Sequence, residues 1–278
     1  MSKGIALALG LNAVNPQHYN GWSGVLNACE ADAEDMSHIA KTQKFSVSTI
    51  LTKAATRKNV MDHIKDAAKE LQAGDIFMLS YSGHGGQLPD LNDDEPDQED
   101  ETWCLYDGQV VDDELYELYS QFKQGVRILV LSDSCHSGSV VKQAFFKDKI
   151  DLRSSDVDSE GVKYRNMPGD ITRAVYRKNR GFYDKILKRT ELKEAEDKVK
   201  ASLLLISGCQ DNQLSADGDF NGLFTSNLLR VWKDGAFRGN YKKFHGSILK
   251  RMPQDQSPNY FLVGKRDTKF EDQTPFTV

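Results

Sequence analysis

The sequence predicts an α/β fold in which helices cover both faces of a mostly parallel sheet. Short apolar runs rich in β-branched residues recur along the chain, and helical patterns separate most of them. Some runs, such as residues 128–131, are apolar at every position, which is typical of a strand at the centre of a parallel sheet. We expect strands at residues 5–11, 47–51, 76–80, 126–131, 203–207 and 260–263.

The strongest helical pattern covers residues 56–72. Thr56 is a suitable N-cap, and Gly74 follows the end of the pattern. Weaker patterns predict helices at 27–42, 222–232 and 241–252, and they leave a short helix within 183–200 as an alternative to a loop. One apolar face of the strongest helix would contain Val60, Ile64, Ala67, Ala68 and Leu71.

The alternation of apolar runs and helical patterns weakens in the middle of the chain. From about residue 141 to residue 200, Lys and Arg are frequent and strong apolar periods are few. We interpret this region as a long surface insertion rather than a second domain. A chain of 278 residues is compatible with one large α/β domain. We therefore expect a single domain over 1–278, with a first part at 1–142, a basic linker at 143–200 and a last part at 201–278.

The composition excludes several classes of protein. A formal net charge of -5 gives no electrostatic footprint for nucleic acid. Four widely spaced cysteines without a CxxC pair argue against a zinc site and a disulfide framework, and they favour a reducing, cytoplasmic location. The first apolar run is too short for a signal peptide, and no run approaches the roughly eighteen residues of a membrane span. We expect neither nucleic acid nor a membrane as a partner.

Two short motifs follow predicted strands. One is Tyr-Ser-Gly-His-Gly-Gly at 81–86, and the other is Asp-Ser-Cys-His-Ser-Gly at 133–138. Ligands collect at the carboxyl ends of parallel strands, and both His84 and Cys135 fall there. A cysteine attacks a carbonyl carbon as the thiolate, so it needs an imidazole that takes its proton and later protonates the leaving amine. The two residues therefore predict nucleophilic catalysis.

These motifs, together with Ser-Gly-Cys-Gln-Asp-Asn-Gln at 207–213, resemble the metacaspase branch of the caspase-like cysteine peptidases. The His-to-Cys separation of about fifty residues is also that of caspases. Residues up to about 140 resemble the large, p20-like part, and residues 201–278 resemble the small, p10-like part, without the N-terminal prodomain of some relatives. The resemblance implies a caspase-like three-layer α/β/α sandwich and a monomeric endopeptidase that needs no cofactor for its chemistry. It also implies a dyad of His84 and Cys135 that works through an acyl-enzyme.

The backbone N–H groups of Gly85 and Cys135 are the expected oxyanion donors. Glycines beside His84 would let a substrate carbonyl approach the main chain closely. His136 is the competing base, but neighbouring side chains on a strand-end turn usually point apart. The non-catalytic interpretation is a buried structural cysteine and a core histidine.

Two functions of other classes are alternatives to a peptidase. A catalytically silent caspase-like interaction module would have no chemical need for both His84 and Cys135. An α/β phosphate-binding protein would need a glycine-rich loop after the first strand, and the segment 10–13 lacks the required glycine spacing. The peptidase is the leading hypothesis.

Asp133 indicates which P1 residue the enzyme would accept. Caspases accept aspartate partly through a glutamine two positions before the nucleophile, whereas this chain has Asp133 there, which would repel an acidic P1 residue. The resemblance implies an acidic pocket whose other walls are Asp32 and, flanking it, Cys29 and Ser82, with Asp211 as a further candidate. Carboxylates hold a guanidinium bidentately and an ammonium as a point charge, so we predict cleavage after Arg or Lys. By spacing alone Asp32 would be a solvated helix residue.

A preference for basic P1 residues gives the basic linker a second interpretation. Proteolytic nicking concentrates in exposed loops, so the linker offers sites for self-cleavage. A solvated charged segment is the alternative for any one of these residues. The candidate P1 residues are Lys147, Arg153, Lys163, Arg165, Arg173, Lys178 and Arg180.

The acidic stretch at 90–101 raises the question of calcium. It is not an EF-hand, because Glu95 stands where the loop needs glycine and no helix pair flanks it. Many metacaspases nevertheless bind activating calcium beside this region, and Asp100, Asp112 and Asp113 match the family's ligand positions. Lys142 replaces an expected acid, and its ammonium would oppose a divalent cation. Calcium is therefore an open hypothesis, and a solvated acidic loop that attracts basic substrates is the alternative.

Overall fold

A computed structural model describes residues 2–91, 99–134, 163–209, 216–218, 220–254 and 256–278. Its centre is a six-stranded sheet in the order β2-β1-β3-β7-β8-β9. Neighbouring strands are parallel except β9, which pairs antiparallel with β8. The strands are β1 (Gly4–Gly10), β2 (Ser46–Leu51), β3 (Ile76–Ser82), β7 (Arg127–Asp133), β8 (Ser202–Ser207) and β9 (Asn259–Gly264).

Helices cover both faces of this sheet. On one face α2 (Arg57–Glu70) and α3 (Asp112–Tyr119) contribute to one apolar core. The second core, on the other face, is formed with α1 (Cys29–Thr42), α6 (Leu223–Trp232), α7 (Tyr241–Leu249) and α8 (Thr268–Asp272). The predicted α/β/α sandwich with a mostly parallel sheet is confirmed.

The central strands have apolar runs without alternation because successive side chains enter opposite cores. In β7, Ile128 and Val130 belong to the core with α2, whereas Leu129 and Leu131 belong to the core with α1. The N-cap of α2 also forms as predicted, since the side chain of Thr56 accepts a hydrogen bond from the Asn59 N–H. All six predicted strands and the helices predicted near 27–42, 56–72, 222–232 and 241–252 are present.

A smaller antiparallel sheet, in the order β4-β5-β6, follows β3 in the chain. Its strands are β4 (Gly85–Pro89), β5 (Glu99–Leu105) and β6 (Gly108–Val111). This sheet is not among the predicted elements. Glycines open β4, and acidic residues at the start of β5 are more typical of a loop.

The described part of the linker is not a surface insertion. It contains α4 (Gly169–Lys178) and α5 (Arg180–Leu187), of which the second overlaps the helix left open at 183–200. A third apolar cluster buries Met167, Val175, Tyr183 and Leu187 against residues of the smaller sheet. The expectation of a surface insertion is wrong here, because the buried positions are too few per helix to give a strong sequence period.

Among the residues that the structure describes, no helix has both the length and the apolar character needed to cross a membrane.

Candidate active site

The carboxyl ends of β3 and β7 create an acidic pocket. Ser82 and Asp133, the last residues of these strands, are paired in register. Asp32 reaches the same place from α1, and the hydroxyl of Ser82 donates to its Oδ2 at 2.8 Å. Cys29, the first residue of α1, is buried beside them. Four of the five predicted pocket residues are thus brought together, and the fifth, Asp211, lies outside the described residues.

The pocket is filled by an arginine of the chain itself, Arg165. Its side chain is 0% exposed. Nη2 lies 2.7 Å from Asp32 Oδ2 and 2.9 Å from Asp217 Oδ1, and Nη1 lies 2.9 Å from Asp133 Oδ2. Nη1 also donates to Ser82 Oγ at 2.8 Å. Both terminal nitrogens of the guanidinium are therefore held by the walls of the pocket.

Other donors support the three carboxylates. Asp32 Oδ1 accepts hydrogen bonds of 3.0 Å from Asn221 Nδ2 and from the Gly222 N–H. Asp133 Oδ2 accepts from Thr225 Oγ1 at 2.9 Å, and Asp217 Oδ2 accepts from the Asn27 N–H at 2.7 Å. These donors offset part of the cost of burying acids, which would otherwise be several kcal/mol per ion.

The charges act on one another through this low-dielectric site. Burial raises the pKa of Asp32 and is opposed by Arg165, while the nearby Asp133 raises it further. Burial also acts to lower the pKa of Arg165, but the carboxylates, Asp133 foremost among them, keep it well above its usual value. A cation in this pocket therefore stays charged, and the pocket favours a cation.

The backbone on both sides of Arg165 is extended across the strand ends. Tyr164 forms an antiparallel bridge with Ala216, and Asn166 forms a parallel bridge with Gly85. The Gly85 N–H donates to the Arg165 carbonyl at 2.9 Å, and the Met167 N–H donates to the Gly85 carbonyl at 2.8 Å. The segment 163–167 thus lies in the cleft in the way that a bound peptide would lie.

His84 is buried beside this segment. Its Nε2 lies 3.0 Å from the Gly24 carbonyl, and its ring lies 4.7 Å from that of Trp22. Because a carbonyl only accepts, Nε2 carries the proton and Nδ1 has a free lone pair. Among the described residues Nδ1 has no hydrogen-bond partner. Burial is the main cause that lowers the pKa of His84 to about 4, against the Gly24 carbonyl, which raises it.

Hydrogen bonds from neighbouring residues hold the backbone of His84 in place. Its carbonyl accepts hydrogen bonds from Tyr81 Oη at 2.7 Å and from the Cys104 N–H at 2.9 Å. The ring of Tyr81 stacks on Trp103 of β5, with ring centroids 4.4 Å apart. The smaller sheet, which the sequence analysis missed, therefore positions the predicted base.

Several residues of the site were not predicted. Asp217 is the third acid of the pocket, and Gly222 packs so closely that a Cβ there would lie 2.5 Å from Arg165 Nη2. Both follow β8 in the chain but lie well beyond its end at Ser207, and no local signal in the sequence places them in the pocket. Cys135, Lys147 and Arg153 lie outside the described residues, as does Lys142.

The described residues do not form a metal site. No group of three or more His, Cys, Asp or Glu side chains in the described ranges could hold a metal ion. Asp100 is buried in β5, whereas Asp112 and Asp113 begin α3. Most of the acidic stretch next to Asp100 (residues 92–98) and Lys142 lie outside the described residues, so calcium dependence stays a prediction.

Comparison with known families identifies relatives over almost the whole chain. The family model described as "Caspase domain" matches residues 3–270. Metacaspase-1 of Schizosaccharomyces pombe is 31% identical over 261 residues, which cover 82% of this chain and 59% of the relative. Metacaspase-1A of Aspergillus terreus is 28% identical over 281 residues, which cover 92% of this chain and 68% of the relative. The chain thus spans about three-fifths to two-thirds of these relatives.

Two solved structures share the fold. A protein of Geobacter sulfurreducens is 58% identical and superposes with a TM-score of 0.89, with 99% of both chains covered. Caspase-1 of Spodoptera frugiperda is 11% identical, with a TM-score of 0.56 over 95% of this chain and 86% of that one. The second comparison supports the fold alone.

Proposed function

Because this chain belongs to the caspase-domain family of cysteine peptidases, we propose that it is an endopeptidase that cleaves after Arg or Lys. Cys135 would be the nucleophile and His84 the general base and acid. Arg165 in the acidic pocket is the observation that carries the proposal, since the chain's own arginine fills the pocket that we assign to the P1 side chain.

The backbone contacts of Arg165 support the same assignment. The Gly85 N–H already donates to the Arg165 carbonyl, as an oxyanion donor would. We therefore assign the bond between Arg165 and Asn166 as the scissile bond. In the reaction the carbonyl oxygen would gain negative charge, and this N–H would stabilise it, together with the backbone N–H of Cys135 as the second proposed donor.

The mechanism follows from the free nitrogen of His84. Nδ1 takes the proton of the Cys135 thiol, and the thiolate attacks the carbonyl carbon of the P1 residue. The protonated ring then gives its proton to the leaving nitrogen, and water hydrolyses the thioester with His84 again as the base. Burial makes the imidazolium a strong acid, which favours protonation of the leaving amine. The Gly24 carbonyl keeps the other ring proton on Nε2.

The contacts of Arg165 support a preference for arginine over lysine. The guanidinium contacts three carboxylates through two nitrogens. The ammonium group of lysine has a single nitrogen on a different side chain, so it cannot form the same set of contacts. Each charge-assisted hydrogen bond contributes about 1.5–3 kcal/mol. We propose that the enzyme prefers arginine over lysine.

Self-processing is proposed at Arg165. Among the other described candidates, Arg173 and Lys178 lie within α4 and Arg180 begins α5. A helical backbone cannot lie extended in the cleft, as the segment 163–167 does. Lys163 is two residues from the occupied pocket and would require the segment to shift.

Peptide hydrolysis tests this function. We expect peptides with P1 Arg to be cleaved at least tenfold faster in kcat/KM than those with P1 Lys, and peptides with P1 Asp to be inert. The wild type should also yield a fragment beginning at Asn166. Cys135→Ala should do neither.

The competing silent module makes the opposite prediction. Wild type and Cys135→Ala would then give the same fragments and no peptide hydrolysis. That result would remove the proposed function.

A further inference from the structure

The two sides of the proposed scissile bond are held in the cleft by very different means. Before the bond, Arg165 is held by the pocket, and Lys163 and Tyr164 add short backbone contacts to the loop at Ala216 and Asp217. After the bond, the chain enters a packed part of the molecule. After cleavage, each of the two new ends would keep the contacts that its own side makes.

The chain after the bond is anchored at once by Met167. This side chain is 2% exposed, and its N–H donates to the Gly85 carbonyl at 2.8 Å. Gly86 lies directly against it, since a Cβ at Gly86 would be 2.9 Å from Met167 Cε. Truncating a buried methionine typically costs about 2–5 kcal/mol. Release of Asn166 from the cleft would have to break these contacts.

The two helices that follow hold the same segment. Tyr183 of α5 is 0% exposed, and its hydroxyl lies 2.7 Å from His18 Nε2 while it accepts from the Gln109 N–H at 3.1 Å. Asn179 Nδ2 donates to the His18 carbonyl at 3.0 Å. None of these contacts depends on the peptide bond before Asn166, so we expect them to persist after that bond is cut.

We propose that, after self-cleavage, the α-amino group of Asn166 stays at the leaving-group position and accepts acyl groups from the enzyme's own thioester. The processed chain is then a transpeptidase as well as a hydrolase. It joins a peptide that ends in Arg to its own residue 166, or rejoins Arg165. This inference rests on the proposed function, because it needs the acyl-enzyme.

The step is balanced without any further reactant. The neutral amine attacks the thioester carbon, a carbon–nitrogen bond forms, and the carbon–sulfur bond to Cys135 breaks. The amine loses one proton to His84, which passes it to the leaving thiolate. An α-amino group has an ordinary pKa of about 7.7–8.0, so a useful fraction is neutral near pH 8. Well-oriented groups reach effective molarities of about 10⁵ M or more, so a held amine competes with water.

The experiment uses processed wild-type enzyme and the donor acetyl-Lys-Tyr-Arg 4-nitroanilide, which copies the residues before the bond. Release of 4-nitroaniline reports acyl-enzyme formation. Mass spectrometry of the intact chain reports whether the fragment that begins at Asn166 gains the mass of acetyl-Lys-Tyr-Arg, and fragmentation locates the addition at the α-amine. We expect a clear adduct in wild type, and neither readout in Cys135→Ala.

Two anchor variants, which change residues that hold the segment after Asn166, test whether the α-amino group reacts because it is held in place. Met167→Asp and Tyr183→Phe loosen the segment, and we expect each to give at least fivefold less adduct per 4-nitroaniline released. Lys185→Ala changes an exposed residue of α5 and should match wild type. The two anchor variants act at different places, so a failure of one to fold leaves the other as the test.

The outcomes distinguish the two proposals. Release of 4-nitroaniline without the adduct overturns the transpeptidase and leaves the peptidase intact. Donor hydrolysis by a chain that never yields a fragment starting at Asn166 overturns it as well. An equal adduct in both anchor variants and wild type contradicts the held amine. Absence of 4-nitroaniline from wild type overturns the proposed function itself.

Discussion

Arg165 is the residue on which the proposed specificity depends most directly. Its guanidinium is buried and contacts Asp32, Asp133 and Asp217. Arg165→Lys keeps the charge but loses the two-nitrogen geometry, and Arg165→Gln loses the charge. With about 1.5–3 kcal/mol per charge-assisted bond, we expect self-cleavage to slow roughly 10- to 100-fold for Lys and more for Gln.

The rate of appearance of the fragment beginning at Asn166 measures this effect. Arg173→Gln is the matched control, because Arg173 is an exposed residue of α4, and it should process at the wild-type rate. Cleavage of Arg165→Gln after residue 165 at the wild-type rate would contradict the assignment of Arg165 as the P1 residue.

Some residues of the site could be assigned from the sequence, and others could not. His84, Ser82 and Asp133 could be placed at one sheet edge, since each stands at or just after the end of a parallel strand. Asp32 stands in an acidic helix and could be assigned to the pocket only by family resemblance. Asp217 and Arg165 come from segments whose path is set by tertiary packing, so local pattern does not predict their meeting.

At the scale of elements, strands buried on both faces were predictable and the smaller sheet was not. The middle of β7, residues 128–131, is apolar at every position because both of its faces enter a core. The strand β5 begins with Glu99, Asp100 and Glu101, so its acidic start hides the buried residues that follow. Element α4 was missed and α5 was only left open for a similar reason, because their buried faces form only on packing with β4–β6.

The contact between β4 and the linker leads to a prediction about Gly86. A Cβ at this position would lie 2.7 Å from Gln109 Oε1 and 2.9 Å from Met167 Cε. Gly86→Ala should therefore overpack the interface, with a loss of about 1–3 kcal/mol in the free energy of unfolding. It should also slow self-cleavage, since displacement of Met167 moves the scissile bond.

Urea unfolding in a Cys135→Ala background, which prevents cleavage, measures the first effect, and fragment analysis measures the second. Gly181→Ala is the matched control. Gly181 lies in α5 with no atom within 4 Å of a built Cβ, so alanine there should be neutral or stabilising by up to about 1 kcal/mol. Equal stabilities and cleavage rates for the two alanine variants would show that the contact at Gly86 has no influence.

At the scale of the whole molecule, the burial of His84 makes the stability of the fold depend on pH. Burial lowers the pKa of His84 to about 4 in the folded chain, against about 6.5 for an exposed histidine. Between these values the unfolded chain binds a proton that the folded chain does not. Linkage then requires that stability falls as the pH is lowered through this window, and that the loss attributable to His84 is about 2 kcal/mol between pH 6.5 and 4.5.

Urea unfolding of the Cys135→Ala chain at several pH values measures the total pH dependence, and the same series with His84→Leu added isolates this residue. The carboxylates titrate in both chains, so their contribution cancels in the difference. His38→Leu, which removes an exposed histidine of α1, is the matched control for the substitution itself. If His84→Leu leaves the pH dependence unchanged, the ring is not held neutral by burial. The free lone pair on Nδ1, from which the proposed mechanism starts, would then lose its physical basis below neutral pH.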